Sequence, residues 1–319
     1  MFSSKLKFGD FEFEGGFGSS VTYLEESFKG FSGKEFNIAV SSATAAADMI
    51  FSWLSPIKIH VPTLTFCSPA MMALKNGHSI EVEDINFGLQ QSKTGELNMP
   101  VMYAGASCTD DRCLILDAAH NPCTCHMRAK FIFTSFYPTK PLRCLNGGMI
   151  STDDGDAADY FYKYRNFGRN NQGSSYRVEQ VGNKYYLDQF NASIVLDQLK
   201  GYSKAVQARK ANFEYLRDHA RGGYFAYHDE NSSYYFASLV MAEPLVERAK
   251  EAIKKEVGLS LPLHYPPLHE QPFFKSHPRV KLNGCGNADA ILPRLLNLPL
   301  AEYFDKSIYQ GIVKCLRSL

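Results

Sequence analysis

Short apolar segments alternate with helix-forming segments through the first half of the chain, and this alternation limits the possible folds more than any other feature. Residues 37–41 (NIAVS) form an apolar run, and ATAAADMIFSWL, which has a helix-forming composition, follows it. A β-branched run at 58–66 precedes SPAMMALKNG, which is predicted to be a helix that ends at Gly77. Further apolar or alternating runs occur at 79–85, 99–104, 113–119 and 130–137. Strands that alternate with helices predict an α/β domain built on a mostly parallel sheet.

The second half of the chain predicts a long helical region followed by a smaller unit. Residues 188–220 carry apolar side chains close to helical spacing, with a break near Gly201. A strand (YYFASLVM), an amphipathic helix and a loop rich in Pro and His follow, and IYQGIVKCLRSL is expected to close the chain as a helix. We therefore expect a large α/β domain over residues 1–215 and a smaller C-terminal α+β domain over residues 216–319.

The charge and hydropathy of the chain exclude several classes of partner. Lys plus Arg (34) nearly balances Asp plus Glu (33), which leaves a formal net charge of +1. This balance gives no electrostatic reason to expect nucleic acid or an anionic membrane. No run approaches the roughly 18 apolar residues that a membrane span needs, and residues 1–16 lack the apolar core of a secretory signal. We expect a soluble cytoplasmic protein.

The chain contains eight cysteines, which do not make a disulfide scaffold at this length. Their densest group is CTCH at 123–126, but no second Cys/His pair stands at zinc-finger spacing. Ordinary reduced thiols are the expected state and no metal site is predicted, with zinc at CTCH kept as the lesser alternative.

Polar and aromatic residues follow several of the predicted strands, where ligands of parallel sheets bind. Each residue also has an ordinary explanation by itself: a serine or aspartate can cap a helix, a phenylalanine can belong to the core, and a lysine can be a surface charge. The residues are Ser42, Thr44, Phe66, Asp117, His120, Ser135 and Lys140.

One cofactor, pyridoxal phosphate, needs most of these groups at once. Its aldehyde forms a Schiff base with a lysine amine, here Lys140, and its ring nitrogen pairs with a carboxylate, here Asp117. Its phosphate binds at a helix N-terminus, which Ser42-Ala43-Thr44 supplies. Its flat ring stacks on an aromatic face such as Phe66. The combination predicts a pyridoxal phosphate site.

Eight blocks of the chain, in the same order, resemble the DegT/StrS-type sugar aminotransferase family. The likeness extends from about residue 20 almost to the C-terminus and implies the aspartate-aminotransferase-like fold type I of pyridoxal phosphate enzymes. The blocks are VTYLEESFKGFSG, AVSSATAAADMI, VPTLTFCSPAMMALKNGHSIEVEDIN, LILDAAHN, FTSFYPTKPLRCLNGGMISTDD, FNASIVLDQL, HYPPLHEQPFF and LLNLPL.

The resemblance also implies roles for individual residues. Lys140 would form the Schiff base and then move the proton between substrate and cofactor, and Asp117 would pair with the ring nitrogen. His120 would lie beside the ring hydroxyl, and Phe66 would stack on the ring. The phosphate would be held by Ala43, Thr44 and Ser135. In HYPPLHEQPFF, His264, Tyr265 and His269 are either substrate neighbours or structural residues and are not assigned to the site.

The implied activity is transfer of an amino group from an amino-acid donor, commonly glutamate, to a nucleotide-linked keto-sugar. A homodimer with shared active sites is expected, with no nucleic acid or membrane as partner. Two alternatives stay open: a cofactor-binding or regulatory member without catalytic activity, and an aminotransferase that acts on a cyclic ketone without a nucleotide.

The sequence departs from the family pattern in four places. Ala43 stands where the family has Gly. In the Gly-x-Asn-x-Arg segment, which reaches the partner subunit's phosphate, Lys184 takes the Asn position, Tyr186 takes the Arg position and Asn183 lies one residue away. The stretch 84–117 is too short for a helical crossover, so either the local topology differs or its strands are not neighbours. The family's usual opening helix is not predicted at the N-terminus.

Overall fold

The structure of the protein is a computed structural model, and it describes residues 19–319 apart from 93, 94, 96, 110, 111, 173, 174, 243, 244 and 262–264. The predictions about residues 1–16 and about His264 therefore concern positions outside the described residues. The helices are α1 (Ser19–Ser32), α2 (Ala43–Trp53), α3 (Cys67–Lys75), α4 (Gly155–Tyr164), α5 (Gln189–Leu199), α6 (Tyr202–His219), α7 (Val246–Val257), α8 (Pro272–Ser276), α9 (Gly286–Ile291) and α10 (Lys306–Arg317). The strands are β1 (Phe36–Val40), β2 (Lys58–Pro62), β3 (Ser79–Glu83), β4 (Ile115–Asp117), β5 (Phe131–Ser135), β6 (Gly148–Thr152), β7 (Arg169–Gln172), β8 (Ser175–Val178), β9 (Gly223–Phe225), β10 (Phe236–Met241), β11 (Val280–Leu282) and β12 (Leu295–Pro299).

The strands of the first half, together with β11, build two sheets that a short segment joins. One sheet has the order β1-β6-β5-β4 and the other the order β11-β3-β2. Between β2 and β4 lie residues 98–102, where the N–H of Met99 donates to the carbonyl of His60 (2.9 Å) and the N–H of Met102 donates to the carbonyl of Asp117 (3.0 Å). Among the described strands of this layer, β6 alone runs in the opposite direction to the others. The prediction of a mostly parallel sheet is confirmed.

The short stretch before β4 connects two segments that lie side by side and run parallel. Val101 and Asp117 form a parallel bridge, so the two segments are neighbours. In the part of residues 102–114 that the structure describes, the chain crosses through a 3₁₀ turn (Tyr103–Gly105) and irregular backbone, not through an α-helix. Ala104 takes the left-handed φ of 58° in this turn. The two segments are therefore neighbours and the local topology differs by its crossover, which is the first of the two alternatives that the sequence left open.

The helices α2 and α3 form as the sequence predicts. Ser42 caps α2, because its Oγ accepts a hydrogen bond of 3.1 Å from the N–H of Ala45. The face with Ala46, Ile50 and Phe51 is fully buried in the core of the first half. Gly77 follows α3 with a φ of +90°, the left-handed conformation that ends helices.

The C-terminal part of the chain has its own antiparallel sheet, in the order β12-β10-β9. The helices α7 and α10 pack against each other, and α10 also contacts α6. The core of this unit includes Leu239, Ala249 and Ile312. The helical region breaks near Gly201 between α5 and α6, as predicted. The division at residue 215 stays a prediction, and β11 returns from the C-terminal part to pair with β3.

Among the residues that the structure describes, no helix has both the length and the apolar character that crossing a bilayer requires.

Candidate active site

A cavity of about 450 Å³ opens where β1, β4 and β5 end. These three strands run in the same direction, so their carboxyl ends meet at one edge of the sheet. The cavity wall contains the predicted residues Ser42, Ala43, Thr44, Phe66, Asp117, His120, Ser135 and Lys140.

Lys140 is a buried amine, with 8% of its surface exposed. A turn between β5 and β6 places it, in which its N–H donates to the carbonyl of Tyr137 (2.8 Å). Burial lowers the pKa of Lys140 to about 8, against the opposing effect of the negative charge on Asp117. Its Nζ lies 3.3 Å from the hydroxyl of Tyr265 and 5.1 Å from the ring centroid of Tyr235. A pKa lowered in this way suits the amine to proton transfer near neutral pH.

Asp117 is a buried carboxyl at the end of β4. Burial raises the pKa of Asp117 to about 6, while the N–H of Ala119, which donates to Oδ1 over 2.9 Å, and the charge of Lys140 lower it. A cationic group placed against a buried carboxylate offsets the energetic cost of burying its negative charge. Asp117 is thus suited to hold a protonated nitrogen.

His120 and Tyr265 form a polar pair beside Lys140. The Nε2 of His120 lies 3.1 Å from the hydroxyl of Tyr265. The Nδ1 of His120 is buried and has no hydrogen-bond partner among the described residues. Burial lowers the pKa of His120 well below its usual range, so the ring is neutral. A buried ring nitrogen without a partner indicates that a ligand group completes this site.

The N-terminus of α2 forms an anion cradle. Its first N–H groups have no partner within the helix, and the helix dipole adds positive potential there. The Oγ1 of Thr44 donates to the Oγ of Ser68 (2.9 Å), which also lines the cavity. A Cβ on Gly148 would come within 2.7 Å of the backbone nitrogen of Ala43. Only glycine at 148 leaves room for this cradle.

Phe66 presents an open aromatic face to the cavity. It precedes α3 with extended backbone, and 51% of its surface is exposed. Its ring centroid lies 5.6 Å from that of Tyr265. A half-exposed aromatic ring in a cavity wall is available for stacking on a flat ligand.

Two predicted residues do not line this cavity. The Nδ2 of Asn183 donates to the hydroxyl of Tyr164 over 3.4 Å. Lys184 is exposed, and its Nζ lies 5.7 Å from the ring centroid of Tyr186. Their expected role concerns a partner subunit, so it stays a prediction.

Sequence reasoning left several residues of the cavity wall unassigned. Tyr265 comes from the loop HYPPLHEQPFF, where His269 bonds instead to Thr63 and Asp289. The position of Tyr265 within a family block was the one available signal for its role. The unassigned residues include Ser68, Tyr137, Thr139, Asn146 and Tyr265.

The comparison with known proteins agrees with this geometry. A model of the DegT/DnrJ/EryC1/StrS aminotransferase family matches residues 113–317. The spore coat polysaccharide biosynthesis protein SpsC of Bacillus subtilis is 23% identical, with 95% of this chain and 90% of SpsC covered. The UDP-4-amino-4,6-dideoxy-N-acetyl-beta-L-altrosamine transaminase of Campylobacter jejuni is 26% identical, with 93% and 91% covered. The solved structure of Helicobacter pylori PseC, an aminotransferase involved in the biosynthesis of pseudoaminic acid, superposes with a TM-score of 0.83 at 17% identity, with 95% and 92% covered.

The fold and the cavity thus define an aminotransferase of fold type I. The chain belongs to the DegT/DnrJ/EryC1/StrS aminotransferase family. The predicted family, fold class and class of enzyme, a pyridoxal-phosphate-dependent aminotransferase, are confirmed.

Proposed function

We propose that this protein uses pyridoxal phosphate to transfer an amino group from an amino acid to a nucleotide-linked keto-sugar. The proposed amino donor is glutamate. The observation that carries the proposal is the pairing of a buried amine and a buried carboxyl, Lys140 and Asp117, in one cavity. Each of the two has a pKa moved toward neutrality by burial.

The residues of the cavity fit the cofactor. Lys140 would react with its aldehyde, Asp117 would hold its ring nitrogen protonated, and the unpartnered Nδ1 of His120 marks a place for a polar group of the ring. The N-terminus of α2, with Ser42, Ala43, Thr44 and Ser135 in the wall, is suited to the phosphate. When bound, pyridoxal phosphate supplies an electrophilic carbon and an electron sink for a carbanion.

The chain's own groups would carry out the proton transfer. Lys140 would take a proton from the substrate carbon and deliver it to the cofactor carbon that came from the aldehyde. A pKa of about 8 keeps both the charged and the neutral form of the amine populated. Tyr265 accepts a hydrogen bond from Nζ and so fixes the direction of the amine. Because Lys140, Asp117 and His120 are buried, little water competes for the proton.

The substrate class is supported by the relatives. The similar protein of Campylobacter jejuni is named a transaminase of a UDP-linked sugar, and that of Bacillus subtilis a polysaccharide biosynthesis protein. We place this protein in the same kind of pathway and in the cytoplasm. We also propose a homodimer, in which Asn183 and Lys184, which lie outside this cavity, reach the phosphate of the partner's site.

The experiment is a pair of half-reactions with purified protein reconstituted with pyridoxal phosphate. Glutamate is added first and the release of 2-oxoglutarate is measured; a UDP-linked 4-keto-sugar and a keto-cyclitol are then added in parallel. The proposal predicts release in the first step and amination of the nucleotide sugar in the second. Amination of the cyclitol alone would favour the cyclic-ketone alternative, which rests on the same site.

A member without catalytic activity is the second candidate, because Lys184 and Tyr186 replace the residues of the family's intersubunit segment. This candidate predicts that the cofactor binds but that neither glutamate nor any other amino acid releases a keto acid. The first half-reaction separates the two.

A further inference from the structure

A second cavity of about 470 Å³ adjoins the first. Thr139 and Tyr265 belong to the walls of both cavities. Tyr235 lines the second one, and its ring centroid lies 5.1 Å from the Nζ of Lys140. Lys140 itself lines the first cavity, so the second cavity adjoins the site of the reactive amine.

The wall of the second cavity carries an excess of positive charge. Arg143 and Arg209 both pair with Glu302, each through an Nη2 at 2.9 Å from one of the two carboxylate oxygens. The other described residues of this wall are uncharged. Two guanidinium groups against one carboxylate leave a net charge of about +1 for a ligand to neutralise.

Arg209 is held rigidly but is not fully paired. It is 3% exposed, and its Nη1 has no hydrogen-bond partner within the described part of the chain. Its Nη2 also reaches the carbonyl of Pro141, the residue after Lys140, over 3.4 Å. Leaving a charged donor unpaired inside a protein is unfavourable, so a pure structural ion pair does not account for this arrangement.

Arg143 is the more accessible member of the pair. Its side chain is 35% exposed and lies 5.6 Å from the ring centroid of Tyr303. Planar guanidinium groups bind carboxylates through parallel hydrogen bonds, and an arginine that is stacked on a ring is already oriented for this.

We propose that the second cavity is an anion subsite in which Arg143 and Arg209 bind a carboxylate of the amino-acid donor. Glu302 holds the two arginines together and, by neutralising one of their charges, limits the affinity. The phosphates of the sugar nucleotide share this chemistry, but a single excess charge matches a carboxylate better than a diphosphate. The inference rests on the proposed function.

The test compares Arg143→Gln and Glu302→Gln, which change the charge of the cavity in opposite directions. Glutamate is titrated against each reconstituted protein, and the concentration that gives half the maximal rate of bleaching of the cofactor absorbance is measured. Arg143→Gln is expected to raise this concentration about tenfold, and Glu302→Gln to lower it. The inhibition constant of glutarate, which has two carboxylates but no amine, is expected to move in parallel.

Arg217→Gln is the matched control, because Arg217 lies on the same helix as Arg209, pairs with Asp218 and is absent from the cavity wall. It removes the same charge and is expected to change neither constant. Equal constants in all variants, or equal effects of Arg217→Gln and Arg143→Gln, would overturn the subsite. A change confined to the half-reaction with the sugar nucleotide would overturn the assignment to the donor. If wild-type protein shows no cofactor absorbance, the proposed function itself is wrong, and the assignment of the subsite to an amino-acid donor is wrong as well.

Discussion

The amine of Lys140 donates a hydrogen bond of 3.3 Å to the phenol oxygen of Tyr265, a residue 125 positions further along the chain. The same hydroxyl lies 3.1 Å from the Nε2 of His120. The loop HYPPLHEQPFF thus orients the amine of Lys140, which the turn after β5 supplies. Local sequence patterns do not predict this contact.

Tyr265→Phe removes this hydrogen bond and keeps the ring. We expect the covalent link between Lys140 and the cofactor to form as before, while the rate of the glutamate half-reaction falls about tenfold, because the amine loses the group that directs it. Stopped-flow absorbance measures the rate. Tyr227→Phe, at a residue that is 73% exposed, is the control. An unchanged rate in Tyr265→Phe would show that the hydroxyl does not orient the amine.

Asp117→Asn replaces the buried carboxylate by a neutral group of the same shape. An amide does not keep a ring nitrogen protonated, so the electron sink is weakened. We expect the rate of the half-reaction to fall by about 100-fold or more, which is about 3 kcal/mol in the barrier, with the cofactor still bound. Absorbance titration reports binding and 2-oxoglutarate release reports the rate. A rate within a factor of about two of wild type would contradict the role given to Asp117.

Gly148→Ala tests the anion cradle. The added Cβ would meet the backbone nitrogen of Ala43 at 2.7 Å and the carbonyl oxygen of Thr134 at 2.8 Å, and backbone atoms cannot move aside as a flexible side chain can. We expect the dissociation constant of pyridoxal phosphate to rise by about tenfold or more. Gly30→Ala is the control, because open space surrounds that position on α1. Equal affinity in both variants would place the phosphate elsewhere.

Lys140→Met tests the buried amine through stability. Burial lowers the pKa of Lys140 in the folded chain to about 8, below the ordinary lysine value of 10.5, so the charged amine favours the unfolded chain. This cost is fully present below pH 8 and disappears as the pH rises through 10.5. Cofactor-free Lys140→Met is therefore expected to exceed wild type in free energy of unfolding by about 3 kcal/mol at pH 7, with the gain shrinking by pH 10.

Urea unfolding at pH 7, 9 and 10 measures this difference. Lys200→Met, at a lysine whose side chain is 79% exposed, is the control and is expected to show no pH-dependent gain. A gain for Lys140→Met that stays constant with pH would mean that the amine is not destabilised by burial.

The strand ends that position the site were predictable from local patterns. Ser42, Asp117 and Ser135 follow or end apolar runs, and the parallel direction of β1, β4 and β5 brings them together. The helices α2, α3 and α7 carry periodicity, caps or end signals that can be read from a few neighbouring residues.

What could not be predicted depends on contacts between distant segments. Tyr265 and Glu302 reach Lys140 and Arg209 only because the C-terminal part packs over the turn after β5. The sequence left open whether the segments on either side of the connection before β4 are neighbours, and only the bridge between Val101 and Asp117 shows that they are. Asn183 and Lys184 have roles that a second subunit defines.

The most direct test of the role of Lys140 is to reduce the protein with borohydride after incubation with pyridoxal phosphate and to map the modified peptide by mass spectrometry. We predict a pyridoxyl group on Lys140, an absorbance that glutamate bleaches before reduction, and neither feature in Lys140→Ala. A pyridoxyl group on other lysines only, or the same labelling and bleaching in Lys140→Ala, would contradict it.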